Sequence, residues 1–151
     1  MKGPFPPYFA GCRQPGDEPE KTMELQEAIE QVRTFHDAFG IANAAAPTAA
    51  LGGGHHLRYD LMREENEEYL EAAGEGDLVK VADALGDMLY ILLGTILRHG
   101  LEGKIEEVFR EIQRSNMSKL GRDGRPKYRA DGKVLKGEDY FSPDIAAILD
   151  R

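Results

Sequence analysis

From residue 22 onward, apolar side chains return every three or four positions in separate stretches. That is the spacing of one helix face rather than the alternation of a strand. In residues 22–39, Leu25, Ile29, Val32, His36 and Phe39 fall on one stripe, and Gly40 is a natural stop. Residues 57–73 predict a second helix ended by Gly74. Residues 77–99 predict a third, ended by Gly100. Its Val79, Ala82, Leu85, Met88, Leu89, Leu92 and Ile96 make so broad an apolar surface that it is expected to be central and buried on most sides. Residues 102–119 predict a fourth, with Ile105, Val108, Phe109 and Ile112 inward. Residues 41–56 hold a proline and a glycine triplet and read as a loop, with alanines that could support a short helical turn.

After Gly121 the pattern changes. Asp131-Gly132 between short arms predicts a hairpin. Ser142 as N-cap and Pro143 in the first turn predict a short last helix. Residues 1–21 read as an extended Pro-rich arm, and residues 22–151 as one all-α domain. The expected architecture is a four-helix bundle with a C-terminal hairpin and a short helix.

Composition narrows the function classes. The chain has 151 residues, 41% apolar and 30% charged, enough for one domain with a core. The longest apolar run, Met88–Ile96, is broken by Gly94 and Thr95 and is far shorter than the roughly 20 residues of a membrane span. The N-terminus has no continuous apolar segment of the signal-peptide kind. The lone Cys12 allows no internal disulfide and no thiolate metal site, which fits a reducing cytoplasm. A net charge of −8 argues against general nucleic-acid binding. Residues 110–136 nevertheless hold nine Lys/Arg against three acids, so an acidic body carries a basic segment.

The acids are patterned. Residues 63–69 read Arg-Glu-Glu-Asn-Glu-Glu-Tyr. On a helix Glu64 and Glu68 lie about 40° apart and Glu65 and Glu68 about 60°. Like charges at this spacing repel, so the face is either merely solvated or occupied by a cation. Asp83 and Asp87 stand four apart in the most apolar helix, where unpaired charges need compensation. They could pair with Arg58 or Arg63. If the second and third helices instead run antiparallel, five carboxylates (Glu64, Glu65, Glu68, Asp83, Asp87) would surround one space. Hard oxygen ligands without thiolates or paired histidines point to Mg²⁺, or Mn²⁺. A di-iron bundle wants Glu-x-x-His pairs, and none of the four histidines follows a glutamate at that spacing.

The Glu-Glu-x-x-Glu run, followed by Ala82-Asp83-Ala84-Leu85-Gly86-Asp87-Met88-Leu89-Tyr90, resembles the all-α nucleoside triphosphate pyrophosphohydrolases. That superfamily includes MazG-like proteins, dimeric dUTPases and phosphoribosyl-ATP pyrophosphohydrolases. The resemblance covers roughly residues 25–120. Phe35–Gly40 and Arg114–Lys119 look like elements of the phosphoribosyl-ATP branch. One departure stands out. The superfamily's second motif is Glu-x-x-Asp, whereas here Ala84 stands three before Asp87 and the acid is Asp83. This favours the phosphoribosyl-ATP-like or dUTPase-like branch over plain MazG.

The resemblance implies a metal-dependent hydrolase that cleaves between the α and β phosphates to give a nucleoside monophosphate and pyrophosphate. Its substrate would be dUTP, a non-canonical nucleotide or, alternatively, phosphoribosyl-ATP. It also implies a homodimer or higher homo-oligomer. Glu65, Glu68, Asp83 and Asp87 are then the expected metal ligands, with Glu64 a second-metal ligand or general base beside Glu65. Asn116 and Lys119 match the family element and share a helix face, so they are expected to bind substrate. Arg122, Lys127 and Tyr128 are weaker candidates that also read as solvated cations and a hairpin anchor. His36 is either a satisfied core histidine or a substrate contact. The competing reading from another class is a non-catalytic helical oligomer whose acids pair with arginines.

Overall fold

Among the described residues, five helices follow one another: α1 (Leu25–Ala38), α2 (His55–Glu75), α3 (Leu78–Arg98), α4 (Ile105–Met117) and α5 (Ile145–Leu149). The computed structural model describes residues 22–151, and the arm expected over 1–21, with Cys12, lies outside the described residues. The described chain is all-α, a helical bundle without named strands.

The connection between α2 and α3 sets the architecture. Only Gly76 and Asp77 separate the two helices. Gly76 has a φ of 73°, a left-handed C-terminal turn that a side chain would strain. Asp77 then caps α3 by accepting from the backbone N–H groups of Val79 (3.0 Å) and Lys80 (3.2 Å). The chain therefore doubles back. Arg58, near the start of α2, donates to Thr95 Oγ1 (2.9 Å) and to the Ile91 carbonyl (2.6 Å), near the end of α3. The two helices are antiparallel neighbours, as the site expected from the sequence requires.

Helix α1 packs across this hairpin. Its Ala28, Ile29 and Val32 meet Leu93, Ile96 and Leu97 of α3, and Leu101 and Ile105 close the cluster. The loop 41–54 is strapped to the end of α3: Ala44 N–H donates to the Leu97 carbonyl (3.2 Å) and Thr48 N–H to the His99 carbonyl (3.0 Å). Gly100 makes the strap possible. It has a φ of 64°, and a Cβ there would lie 2.4 Å from the Ala46 carbonyl oxygen.

Some expectations change. Helix α3 is not buried on most sides: Leu78, Val79, Leu85, Leu89 and Leu92 are exposed, because only α1 and α2 pack extensively on it. Asp83 and Asp87 are consequently exposed as well, not sealed in a core. Leu25 and Phe39 leave the α1 stripe exposed at its ends. Helix α4 docks through its first turn, so Ile105 and Val108 are half-buried while Phe109 and Ile112 face outward. The hairpin reduces to a single antiparallel bridge between Tyr128 and Val134, turned at Gly132. The last helix starts later than expected, with Asp144 rather than Ser142 as its cap, accepting from Ala147 N–H at 3.1 Å. Among the described residues, no helix is long and apolar enough to cross a membrane.

Helix α4 is joined to the C-terminal segment by Glu111. Its carboxylate accepts from Arg114 Nε and Nη2, both at 2.8 Å, and from Asp144 N–H at 2.9 Å. The Arg114 guanidinium, then the Asp144 amide, hold the Glu111 carboxyl at about 2, below its usual 4.5.

Two outcomes follow from this packing. Leu97→Ala, which empties a fully buried site in the small core, should cost about 2–5 kcal/mol in denaturant unfolding. Glu111→Gln should lower the unfolding midpoint at pH 7. Because the folded value is depressed, that difference is present above 4.5 and should disappear as pH falls through about 2.

Candidate active site

A cleft of about 610 Å³ opens between α1, α2 and α3. Helix α1 contributes Phe35 and His36, and α2 contributes Leu57, Arg58, Leu61 and Glu65. Helix α3 contributes Asp87, Tyr90, Ile91 and Arg98. The rings of Phe35 and Tyr90 stand edge to face with centroids 5.7 Å apart, an apolar wall. A smaller hollow of about 280 Å³ lies along the same pair of helices and is lined by Glu68, Glu71, Ala72, Lys80 and Asp83.

The antiparallel register explains this division. Three residues forward on α2, from Glu65 to Glu68, match four residues back on α3, from Asp87 to Asp83. Glu65 and Asp87 therefore line the cleft together, and Glu68 and Asp83 the hollow. Ala84 is buried, so its position has no room to present an acid to solvent. The one-residue displacement of the acid from 84 to 83 keeps a carboxylate beside Glu68 in this packing.

Glu65 is the focus of the cluster. Its Oε2 is buried without a hydrogen-bond partner. Burial first, and then the charges of Glu68, Asp87, Glu64 and Asp83, push its carboxyl above the usual range. The four other predicted acids thus all act on Glu65. An unpaired, buried carboxylate oxygen among four further acids is one whose charge a cation would offset, and an all-oxygen donor set suits a hard divalent one. Among the described residues, no three of these side chains already converge at metal-binding distance. Glu64 itself is exposed.

His36 is buried, and its Nδ1 shares a 2.6 Å hydrogen bond with Asn43 Oδ1. It is at once a satisfied interior histidine and part of the cleft wall. Gly94 of α3 permits this: a Cβ there would lie 2.9 Å from both His36 Nε2 and Arg58 Nη2.

The basic segment lies elsewhere. Asn116, Lys119, Arg122, Lys127 and Tyr128 do not line the cleft of the same chain. Lys119 Nζ donates to Asn116 Oδ1 at 2.7 Å, so the two side chains meet, although Lys119 lies beyond the end of α4 rather than on its face. Arg122 pairs with Asp139 at 2.9 Å and Lys127 pairs with Glu138. Tyr128 forms the hairpin bridge and is exposed. Conversely, the cleft contains Phe35, Arg58, Tyr90 and Arg98, which periodicity alone presents as ordinary helix residues. An arginine in the first turn of a helix, two turns before Glu65 on the same face, is the one signal that could have singled out Arg58.

Residues 32–116, more than half of the chain, match the phosphoribosyl-ATP pyrophosphohydrolase family. No curated protein matches the chain.

Because Glu65 meets the charge of four other acids, Glu65→Gln should melt above the native protein in metal-free buffer at pH 7. Added Mg²⁺ should then raise the native melting temperature by mass action and raise that of the variant much less. A thermal shift series with and without chelator reads both.

Proposed function

The chain belongs to the phosphoribosyl-ATP pyrophosphohydrolase family, and from that premise we propose that it is a metal-dependent nucleotide pyrophosphohydrolase that cleaves the bond between the α and β phosphates. Water is consumed, and a nucleoside monophosphate and pyrophosphate are released. The observation that carries the reading is Glu65, a carboxylate with a buried, unpartnered oxygen facing the charge of four other acids.

Glu65, Glu68, Asp83 and Asp87 would hold Mg²⁺, with Mn²⁺ as a substitute. The ion, when bound, supplies charge neutralisation at the phosphoryl oxygens and a more acidic water. The remaining work belongs to the chain. Glu64, exposed next to Glu65, is free to accept a proton from the attacking water. Phe35 and Tyr90 offer an apolar surface to a base, and Asn43 keeps the His36 ring in one orientation in the wall. Leu61 and Ile91, half-buried in the wall between the helices, limit water around the reacting groups.

Two substrate readings follow. One is dUTP or another non-standard nucleoside triphosphate. The other, phosphoribosyl-ATP, has the family match in its favour. We also read the protein as a homodimer or higher homo-oligomer. Leu85, Leu89 and Leu92 form a half-exposed stripe on α3, and Phe109 and Met117 are exposed on α4. A second copy would cover such a surface, and would bring another basic segment with Asn116 and Lys119 near the assembly.

The test is pyrophosphate release from canonical, deoxy and modified nucleoside triphosphates and from phosphoribosyl-ATP, with and without Mg²⁺. Release from at least one substrate, dependent on the metal, is expected. Glu68→Ala should abolish it, a loss of at least about 100-fold, with unchanged helical content by circular dichroism. Full activity in that variant, or equal release in chelator, would remove the carboxylates from the mechanism.

A further inference from the structure

The cleft has two electrostatic ends. Glu65 and Asp87 mark one, and Arg58 and Arg98 the other. Seven residues separate Arg58 from Glu65, two turns along one helix face, or roughly 10 Å. Between the ends the wall is apolar, with Leu61 on α2, Ile91 on α3 and the paired rings of Phe35 and Tyr90.

The arginine pair lacks what most of the other described arginines have; Arg125, the further exception, is exposed to solvent in the segment after α4. Arg33, Arg63, Arg110, Arg114, Arg122, Arg129 and Arg151 each stand in an ion pair. Among the described residues, no carboxylate lies at ion-pair distance from Arg58 or Arg98. Both are half-buried, so their charges are only partly solvated. Arg58 donates to Thr95 Oγ1 through Nε and to the Ile91 carbonyl through Nη2, which uses two of its five N–H donors. The others remain for a ligand. Arg98 is fixed by donating from Nη1 to the Ala42 carbonyl. Its Nη2 lies beside Gly54, where a Cβ would approach to 3.2 Å. The two guanidinium groups are near enough that Arg98, after burial, helps hold the Arg58 pKa below its ordinary value. Keeping two like charges in one cleft without a counter-charge is unfavourable unless an anion arrives.

We propose that Arg58 and Arg98 seat a phosphate monoester of the substrate, distinct from the triphosphate that is cleaved at the carboxylate end. The proposal rests on the pyrophosphohydrolase reading and selects within it. A phosphate chain does not suit the apolar stretch between the ends, but a base and a sugar do. The cleft therefore fits a nucleotide with anions at both extremities. Phosphoribosyl-ATP carries a triphosphate and a separate ribosyl phosphate, whereas dUTP carries a single anionic end. Arginine suits the role because its planar fork meets phosphate oxygens in pairs.

The experiment titrates ribose 5-phosphate and pyrophosphate into the metal-free full chain by calorimetry. Native protein should bind ribose 5-phosphate, and Arg58→Gln should weaken it at least tenfold. Glu65→Gln should retain it. Arg58→Gln gives up its bonds to Thr95 and Ile91, so Arg98→Gln is the second variant and should show the same loss without touching that contact. In turnover, the Arg98 variant should raise KM for phosphoribosyl-ATP at least tenfold while changing kcat far less. Absence of ribose 5-phosphate binding to the native protein, binding as tight as native in both arginine variants, or tighter binding of pyrophosphate than of ribose 5-phosphate would overturn the proposal. The two readings fail separately. Arginine-dependent binding without any pyrophosphate release would refute the hydrolase and leave the seat. Release with KM unchanged in the arginine variants would refute the seat and leave the hydrolase.

Discussion

Five carboxylates carried on two antiparallel helices, four of them acting on the charge of Glu65, are the constraint on which the rest of this molecule turns. Repulsion among them opposes the packing of α2 on α3, and Glu65, with its buried unpartnered oxygen, bears it most directly. The helices stay together because the opposing term is supplied elsewhere. A two-residue connection capped by Asp77 brings them side by side, and Arg58 bonds the start of α2 to the end of α3. The same hairpin carries the α1 packing, through Ile29, Val32, Leu93 and Leu97. A cation in the acidic site would convert the repulsion felt by Glu65 into an attraction, which would couple ligand binding to stability.

The cleft joins opposite electrostatic ends through an apolar middle. Acids cluster at the α2–α3 turn side and arginines at the far side, where the loop 41–54 is tied to α3. Neither end is neutralised by the other, because two helical turns separate them along α2. Gly94 lets His36 and Arg58 approach the same stretch of α3, a close packing that any side chain at that position would disturb. The arrangement orients a substrate by its charges and grips it by its rings.

A single chain leaves much apolar surface uncovered. The stripe on α3 was expected inside a bundle, yet Leu85, Leu89 and Leu92 are half-exposed. The apolar pattern identified which positions avoid water but not which polypeptide covers them. The basic segment poses a similar question. Its cations Arg122 and Lys127 are engaged by Asp139 and Glu138, acids close by in the chain that charge counting over 110–136 left out.

Sequence alone determined the helices, because periodicity is a local property, and the observed bounds differ from the expected ones by three residues or fewer, although α2 runs through Gly74 to end at Gly76 and the last helix is capped by Asp144 rather than Ser142. It also determined that Glu64, Glu65 and Glu68 share a face, since helix geometry leaves no other arrangement. Tertiary structure alone decided that Glu65 faces Asp87 and Glu68 faces Asp83, because inter-helix register depends on a turn and on packing rather than on spacing within a helix. It also decided that Asp83 and Asp87 are wet rather than entombed, since burial is a property of neighbours. And it brought Arg58 and Arg98 together from two helices, a meeting of residues forty positions apart that no local pattern encodes.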